Sequence, residues 1–222
     1  YAGQTFNNSP DGKVYQIAWM KNAGKKNPFK RFELPFTQQM TFPCELTLRT
    51  TAEGARIFRW PIEGIRDLYK KSHKFKSLTT VSKANKAVSG IQADLVDISI
   101  ECEPVGDEII TFKIRGLDVV YGNSTKFPIK EGEMVDVKSI EFLNIEGDRD
   151  TIRIPAPTVH GKVSLRILLD RISIEMFVND GVYAATSYCI PTTDKIEFSV
   201  SEGDDLRINS LVVNELKSIW KK

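Results

Sequence analysis

The chain has 222 residues, 41% of them apolar and 27% charged, the profile of a globular protein with a core of its own rather than a disordered one. Its 31 Lys and Arg nearly balance 29 Asp and Glu, and the two signs are interspersed, so no basic stripe suits a nucleic-acid groove. No apolar run approaches the roughly 18 to 20 residues that span a bilayer, and no charged-then-apolar leader opens the chain, so neither nucleic acid nor a membrane is expected as partner.

The first sixty residues read as four strands: "YAGQTF" (1–6), "KVYQIAW" (13–19), "CELTLRTT" (44–51) and "ARIFRW" (55–60). Four consecutive antiparallel strands are one blade of a β-propeller. A loop rich in Lys, Asn, Gly and Pro, "KNAGKKNPFKRFELP", separates the second from the third. The chain begins without Met and inside the first strand, which suggests a processed chain or a fragment. After Pro61, the residues Ile62, Ile65, Leu68 and Tyr69 keep helical spacing for about two turns, so residues 61–75 are expected to be a linker with a short helix. The basic run Lys70, Lys71, His73, Lys74 and Lys76 falls in and just beyond this linker and reads as solvated.

From residue 76 to 222 the period is two. In "VDISIECEP", Val96, Ile98, Ile100 and Cys102 take one side and Asp97, Ser99, Glu101 and Glu103 the other, as in a strand with one wet face. In "SLRILLDRISIEMFVNDGVYAATSY" alternation precedes and follows the corner at Asp170 and Arg171, and Asn179, Asp180 and Gly181 supply the residues of a hairpin turn. In "KIEFSV", Ile196, Phe198 and Val200 oppose Lys195, Glu197 and Ser199. Strands recurring every 8 to 12 residues, with little helical periodicity between them, predict a two-sheet antiparallel sandwich. Its expected core includes Leu165, Ile167, Ile174, Met176, Phe198 and Val200. The fold is therefore expected to be all-β, a C-terminal sandwich preceded by one four-stranded propeller blade.

The three cysteines, Cys44, Cys102 and Cys189, are far apart and set among alternating apolar residues. They read as buried thiols, since a zinc site needs closely spaced ligands and more histidines than the two present. His73 and His160 have no matched partner residues and read as surface histidines.

At "YAGQTF", "IAWM", "PFTQQMTFPCELTLR", "LRILLDRISIEMFVNDG" and "NELKSIW" the chain resembles the C-terminal part of glycoside hydrolase family 32, the levanases, inulinases and invertases. These motifs occur in the family's order and span essentially all 222 residues. The resemblance implies a last propeller blade followed by a β-sandwich, a fructan or fructoside as carbohydrate partner, no cofactor or metal, and a secreted or periplasmic location. The implied chemistry is retaining hydrolysis, in which a nucleophilic aspartate and an acid/base glutamate face each other about 5 to 5.5 Å apart. The family carries these in W-M-N-D-P-N-G and E-C motifs, with a second aspartate in R-D-P.

This chain has only imitations of them. "WMKNAG" offers Trp19, Met20 and Asn22 but no aspartate, "DRDTI" has Arg149 and Asp150 followed by Thr151 instead of proline, and "IECEP" supplies Glu101 before Cys102. Two of the three lie in the sandwich half, and their order departs from that of the family. Glu101 therefore reads as a solvent-facing strand residue, no residue is assigned as catalytic or metal-binding, and the chain is expected to be inactive alone. The resemblance places Tyr1, Trp19 and the neighbouring Gln4 near the sugar pocket, where aromatic rings stack on apolar sugar faces. Packing within the blade is the other reading of the two rings. Either a separately encoded N-terminal catalytic half completes the chain, or it pairs as a homodimer, or it is a non-catalytic carbohydrate-binding or structural sandwich.

Overall fold

The computed structural model describes residues 1–6, 8–20, 28–130, 133–143 and 151–219. The blade is an antiparallel sheet of β1 (Gln4–Phe6), β2 (Val14–Ile17), β5 (Cys44–Thr51) and β6 (Gly54–Pro61), in the order β1-β2-β5-β6. Between β2 and β5 the chain leaves this sheet to make a ribbon of β3 (Trp19–Met20) and β4 (Gln39–Met40), joined through the single helical turn α1 (Pro28–Arg31). The four strands read from the sequence correspond to the four strands of the blade, except that the second ends at Ile17 and Trp19 belongs to the ribbon. Apolar side chains are exposed on both faces of the blade, Leu48 (73%) and Ile57 (62%) on one and Phe6 (58%) on the other.

A 3₁₀ turn at Glu63–Leu68 follows Pro61, and Ile65 is its buried anchor. The stretch read as a linker then departs from expectation, because β7 (Tyr69–Thr80) is a twelve-residue strand that pairs with the last strand of the chain. The basic run lies on this strand. β7 is the edge of its sheet, and Lys70, Lys71, Lys74 and Lys76 are exposed along it, where lysines discourage pairing with another chain. His73 is not a free surface histidine, since its Nε2 lies 2.7 Å from Glu215 Oε1 on the neighbouring strand.

Between β7 and the next strand lies a helix that the alternation does not predict, α2 (Val81–Val88). Thr80 caps it by accepting from the Lys83 N–H at 3.2 Å, and Ala84 and Val88 are buried. Asn85 fixes it to the strand Ile196–Val200, donating to the Phe198 carbonyl at 3.0 Å and accepting from its N–H at 2.7 Å. At eight residues it is too short to announce itself by periodicity.

The remaining strands are β8 (Val96–Cys102), β9 (Ile110–Ile114), β10 (Leu117–Lys130), β11 (Glu133–Leu143), β12 (Thr151–Pro155), β13 (Val163–Leu169), β14 (Ser173–Val178), β15 (Tyr183–Tyr188), β16 (Ile196–Val200) and β17 (Asp205–Leu216). They form, with β7, two antiparallel sheets, ordered β12-β11-β10-β9-β16 and β15-β14-β13-β8-β17-β7. The core between them takes the residues that alternation assigned: Leu165, Ile167, Ile174, Met176 and Phe198 are buried in it, and Val200 packs against it. Cys102 and Cys189 are buried in this core and Cys44 in a second cluster, all as free thiols.

The opposite face of the six-stranded sheet is not simply wet. Leu168 and Phe177 on it form an apolar cluster with Cys44 and Ile65, against which Phe42, Trp60 and Tyr69 pack. β14 is consequently buried at all six positions. The blade docks here through β6, and the turn after β14 shapes the contact. Asn179, Asp180 and Gly181 all have positive φ, and a Cβ on Gly181 would stand 1.9 Å from the Arg59 carbonyl oxygen of β6. Glycine is required at that position both by its φ of +84° and by the approach of the blade backbone.

Ile174 is 1% exposed at the centre of the inter-sheet core. Ile174→Ala is expected to cost about 2 to 5 kcal/mol in urea unfolding, whereas a register slip would put this side chain outside the core and reduce the loss to below about 0.5 kcal/mol.

Candidate functional site

The ribbon β3–β4 positions the first candidate ring. Trp19 donates its N–H to the Tyr1 carbonyl at 2.9 Å, and the Tyr1 nitrogen donates to the Trp19 carbonyl at 2.9 Å. This pairing brings the two rings edge to face, with centroids 5.7 Å apart and planes at 63°. Tyr1 is 77% exposed, and Trp19 is half-buried. Gln4 is exposed on β1, the free edge of the blade, opposite Ile17. The structure thus joins Tyr1 and Trp19 and sets Gln4 on the adjoining edge.

Of the motif imitations, Asn22, Arg149 and Asp150 lie outside the described residues. Glu101 is described, on β8, with Lys162 Nζ 2.9 Å from its Oε1 and Asn209 Nδ2 at 3.5 Å. The hydrogen bond from Lys162 holds its carboxyl below the usual range. A general acid working near neutral pH needs the opposite displacement. Glu101 also lines a cleft of about 660 Å³ between the β5–β6 hairpin of the blade and the sandwich, with Phe58, His160, Lys162, Asp180 and Tyr183.

Among the described residues three carboxylates are buried: Glu141, which accepts from Arg153 Nε at 2.7 Å, and, on the face under the blade, Asp97 and Glu175. Asp97, read as wet, is fully buried: Arg166 donates to it through Nε at 3.0 Å and Nη2 at 2.8 Å, and the Tyr69 hydroxyl donates at 2.6 Å. Burial, and then this hydrogen bond, push the Tyr69 hydroxyl up to about 12, so it remains a donor. Glu175 on β14 accepts from the Phe42 N–H, from Thr186 Oγ1 at 3.1 Å and from Arg59 Nη2 at 3.4 Å. Burial raises its pKa, the direction expected of an acid, yet its oxygens are committed to the blade. The sequence carries a signal for the two under the blade. "RILL" and "IEMFV" interrupt alternation with contiguous apolar residues, which marks strands covered on both faces.

The sequence model of a family described as "Glycosyl hydrolases family 32 C terminal" matches residues 64–215, more than half of the chain. The chain belongs to glycosyl hydrolase family 32. This family-32 chain is 25% identical over 235 residues to a levanase of Bacillus subtilis (strain 168), with 99% of the chain and 33% of the levanase covered. It is 27% identical over 231 residues to a levanase of Bacillus sp. (strain L7), covering 100% of the chain and 24% of that levanase. Exo-inulinase from Aspergillus awamori shares the fold, with a TM-score of 0.70 and 17% identity over 99% of this chain and 43% of that one. The family-32 chain therefore spans about a third and a quarter of the length of the two curated relatives.

Breaking the ion pair of Asp97 on one side leaves a buried guanidinium without its counter-charge. Asp97→Ala is expected to destabilise by about 3 to 5 kcal/mol in urea unfolding, and adding Arg166→Met should restore most of the loss. Glu175 generates a pH dependence of defined sign. Its folded-state pKa lies above the ordinary 4.5, so the native state holds the proton more tightly than the unfolded chain. Stability relative to Glu175→Gln is thus greatest below 4.5 and is expected to fall as pH rises through the raised pKa, which paired thermal melts across that window will measure.

Proposed function

We propose that the chain forms the closing blade and C-terminal sandwich of a fructan-cleaving hydrolase, whose catalytic carboxylates are supplied by a part of the enzyme preceding it or encoded apart. The observation that carries this reading is the pairing of whole-chain similarity to two levanases with coverage of only a third and a quarter of their length. The exposed Phe6, Leu48 and Ile57 on the blade support it, because a blade inside a propeller is covered on both faces by its neighbours. In the completed enzyme the reaction would be retaining hydrolysis of β-fructosidic bonds, with nucleophile and acid about 5 to 5.5 Å apart. The contribution of this chain is the sugar-facing surface of Tyr1, Trp19 and Gln4. Such contacts orient the substrate and exclude water, and the chain alone is inactive because Glu101 is a paired, low-pKa carboxylate.

A second reading, a carbohydrate-binding module without catalysis, is favoured by the cleft between blade and sandwich. Phe58 and Tyr183 offer rings there, and Glu101, Lys162 and Asp180 offer hydrogen-bonding groups for hydroxyls. Clefts of a few hundred Å³ between structural units are common places for small ligands.

A reducing-sugar assay on levan, inulin and sucrose separates the two. The isolated chain is expected to release no fructose above background, and adding a catalytic part with W-M-N-D-P-N-G, R-D-P and E-C motifs should produce release. Saturable levan binding that never becomes hydrolysis would favour the second reading. Fructose release by the isolated chain that survives repurification and disappears in Glu101→Gln would overturn both. Without that catalytic part the exposed blade is expected to pair with a second copy, most simply by a two-fold axis. Sedimentation at micromolar concentration should then show twice the chain mass, lost on deletion of residues 1–60, and a monomer would show that the exposed side chains need no cover.

A further inference from the structure

We infer that the sandwich positions the sugar-facing ring of the blade: Tyr188 and Glu175 clamp, from the sandwich, the ribbon that carries Trp19. The inference rests on the reading of Trp19 as a sugar contact. It starts from the weakness of the ribbon. β3 and β4 have two residues each and make only the pairs Trp19↔Met40 and Met20↔Gln39. A two-stranded ladder is marginal in water even when much longer, so this one takes its position from what surrounds it.

The supports lie immediately on either side of Trp19 and of its partner strand. Ala18 and Thr41 exchange bonds, the Ala18 N–H donating to Thr41 Oγ1 at 3.0 Å and the Thr41 N–H donating to the Ala18 carbonyl at 2.8 Å. Beyond Trp19, the Tyr188 hydroxyl donates to the Met20 carbonyl. Beyond Thr41, the Phe42 N–H donates to Glu175. Both clamping side chains come from one end of the six-stranded sheet, Tyr188 from the edge strand β15 and Glu175 from its neighbour β14, where Ser173 is opposite Tyr188 and Glu175 opposite Thr186. The Tyr188 ring is itself fixed, edge-on to Phe29 at 5.1 Å within the cluster of Met20, Phe29, Ile172 and Tyr188. One rigid edge of the sandwich therefore holds the backbone at two points around the ring that would meet the sugar. Tyr188 and Glu175 are positioning residues. Neither needs to touch substrate to affect its binding, because displacements of about 1 Å at a contact can cost up to ~10²-fold in rate.

The test uses three variants with unequal losses. Tyr188→Phe removes one hydroxyl and keeps the ring packing, while Glu175→Ala removes the acceptor for Phe42 and Glu175→Gln keeps one. The chain has three tryptophans, Trp19, Trp60 and Trp220, so labelling with 5-fluorotryptophan gives three ¹⁹F resonances, and Trp19→Phe assigns the first. Tyr188→Phe is expected to shift or broaden the Trp19 resonance and to leave that of Trp60 in place, which also verifies folding. Glu175→Ala should disturb the Trp19 resonance, and Glu175→Gln should return it toward the wild-type position. In the enzyme completed by its catalytic part, Tyr188→Phe should raise KM for levan about three- to tenfold, the scale of one hydrogen bond, with kcat nearly unchanged. A Trp19 resonance unmoved by Tyr188→Phe would overturn the clamp, and a moved resonance with unchanged KM would overturn its role in binding. Inactivity of the completed wild-type enzyme on every fructan would instead overturn the proposed function and with it the sugar-facing role, and the ¹⁹F spectra would still decide whether the clamp exists.

Discussion

On the sandwich face that the blade covers, Arg166 on β13 reaches Asp97 on the adjacent β8 and closes a two-pronged ion pair with no water-exposed surface on the carboxylate. Burying two charges is costly, and the attraction offsets the cost only when the geometry is good and the remaining hydrogen-bonding capacity is filled. Here it is filled from within the six-stranded sheet, and the blade adds a ring. Tyr69 donates to Asp97 from the first residue of β7, Asn214 donates to the Asp97 carbonyl at 3.3 Å, and the guanidinium lies 5.1 Å from the ring centre of Trp60 on the blade. An apolar junction alone could slide. Both charges belong to the six-stranded sheet, so the pair itself does not move with the blade, but it fixes the guanidinium face that meets the Trp60 ring, and a shift of the blade would lose that contact and uncover the pair.

The rest of the interface is built around that contact. With Trp60 held over Arg166, its ring meets Phe177 edge to face at 6.0 Å, and β6 runs close enough that its Arg59 carbonyl occupies the space a side chain at Gly181 would need. The outermost strand of the blade is thereby committed to the sandwich. The strand at the other end of the sheet, β1, is left as a free edge. One end of the blade is therefore attached, and Tyr1 and Trp19 lie at the other.

How much of this could be read from residues alone depends on what each pattern reports. Alternation reports burial of one face, and it located the blade strands, the meander from Leu165 to Tyr188 and the core at Ile167, Ile174 and Phe198 correctly. It misled at Asp97, because a polar residue on the alternate face implies water only when no second layer covers that face. The linker ended sooner than expected for a similar reason. Lys70, Lys71, Lys74 and Lys76 look like solvated coil, but an edge strand tolerates the same composition. At the candidate site, chain order could suggest Tyr1 and Trp19 but not their contact, which is made by backbone pairing over 18 residues, nor the Glu175 and Tyr188 contacts, which span more than 130.

Two glutamates on the same sheet show why residue type and motif are poor guides to chemistry. Glu101 precedes a cysteine as an acid catalyst of the family would, yet it sits at a partly exposed position where Lys162 stabilises its charge. Glu175 has no motif, yet burial stabilises its protonated form, the property a proton donor requires. Neither environment alone makes a catalyst. The first has access to solvent without the raised pKa, and the second has the raised pKa without access, its oxygens being taken by Phe42, Thr186 and Arg59. Catalysis needs both at one atom, facing a nucleophile. In the sandwich, the raised pKa and the enclosure arise from one cause, the blade lying on Glu175, so the same contact that would tune this carboxylate also removes it from any substrate.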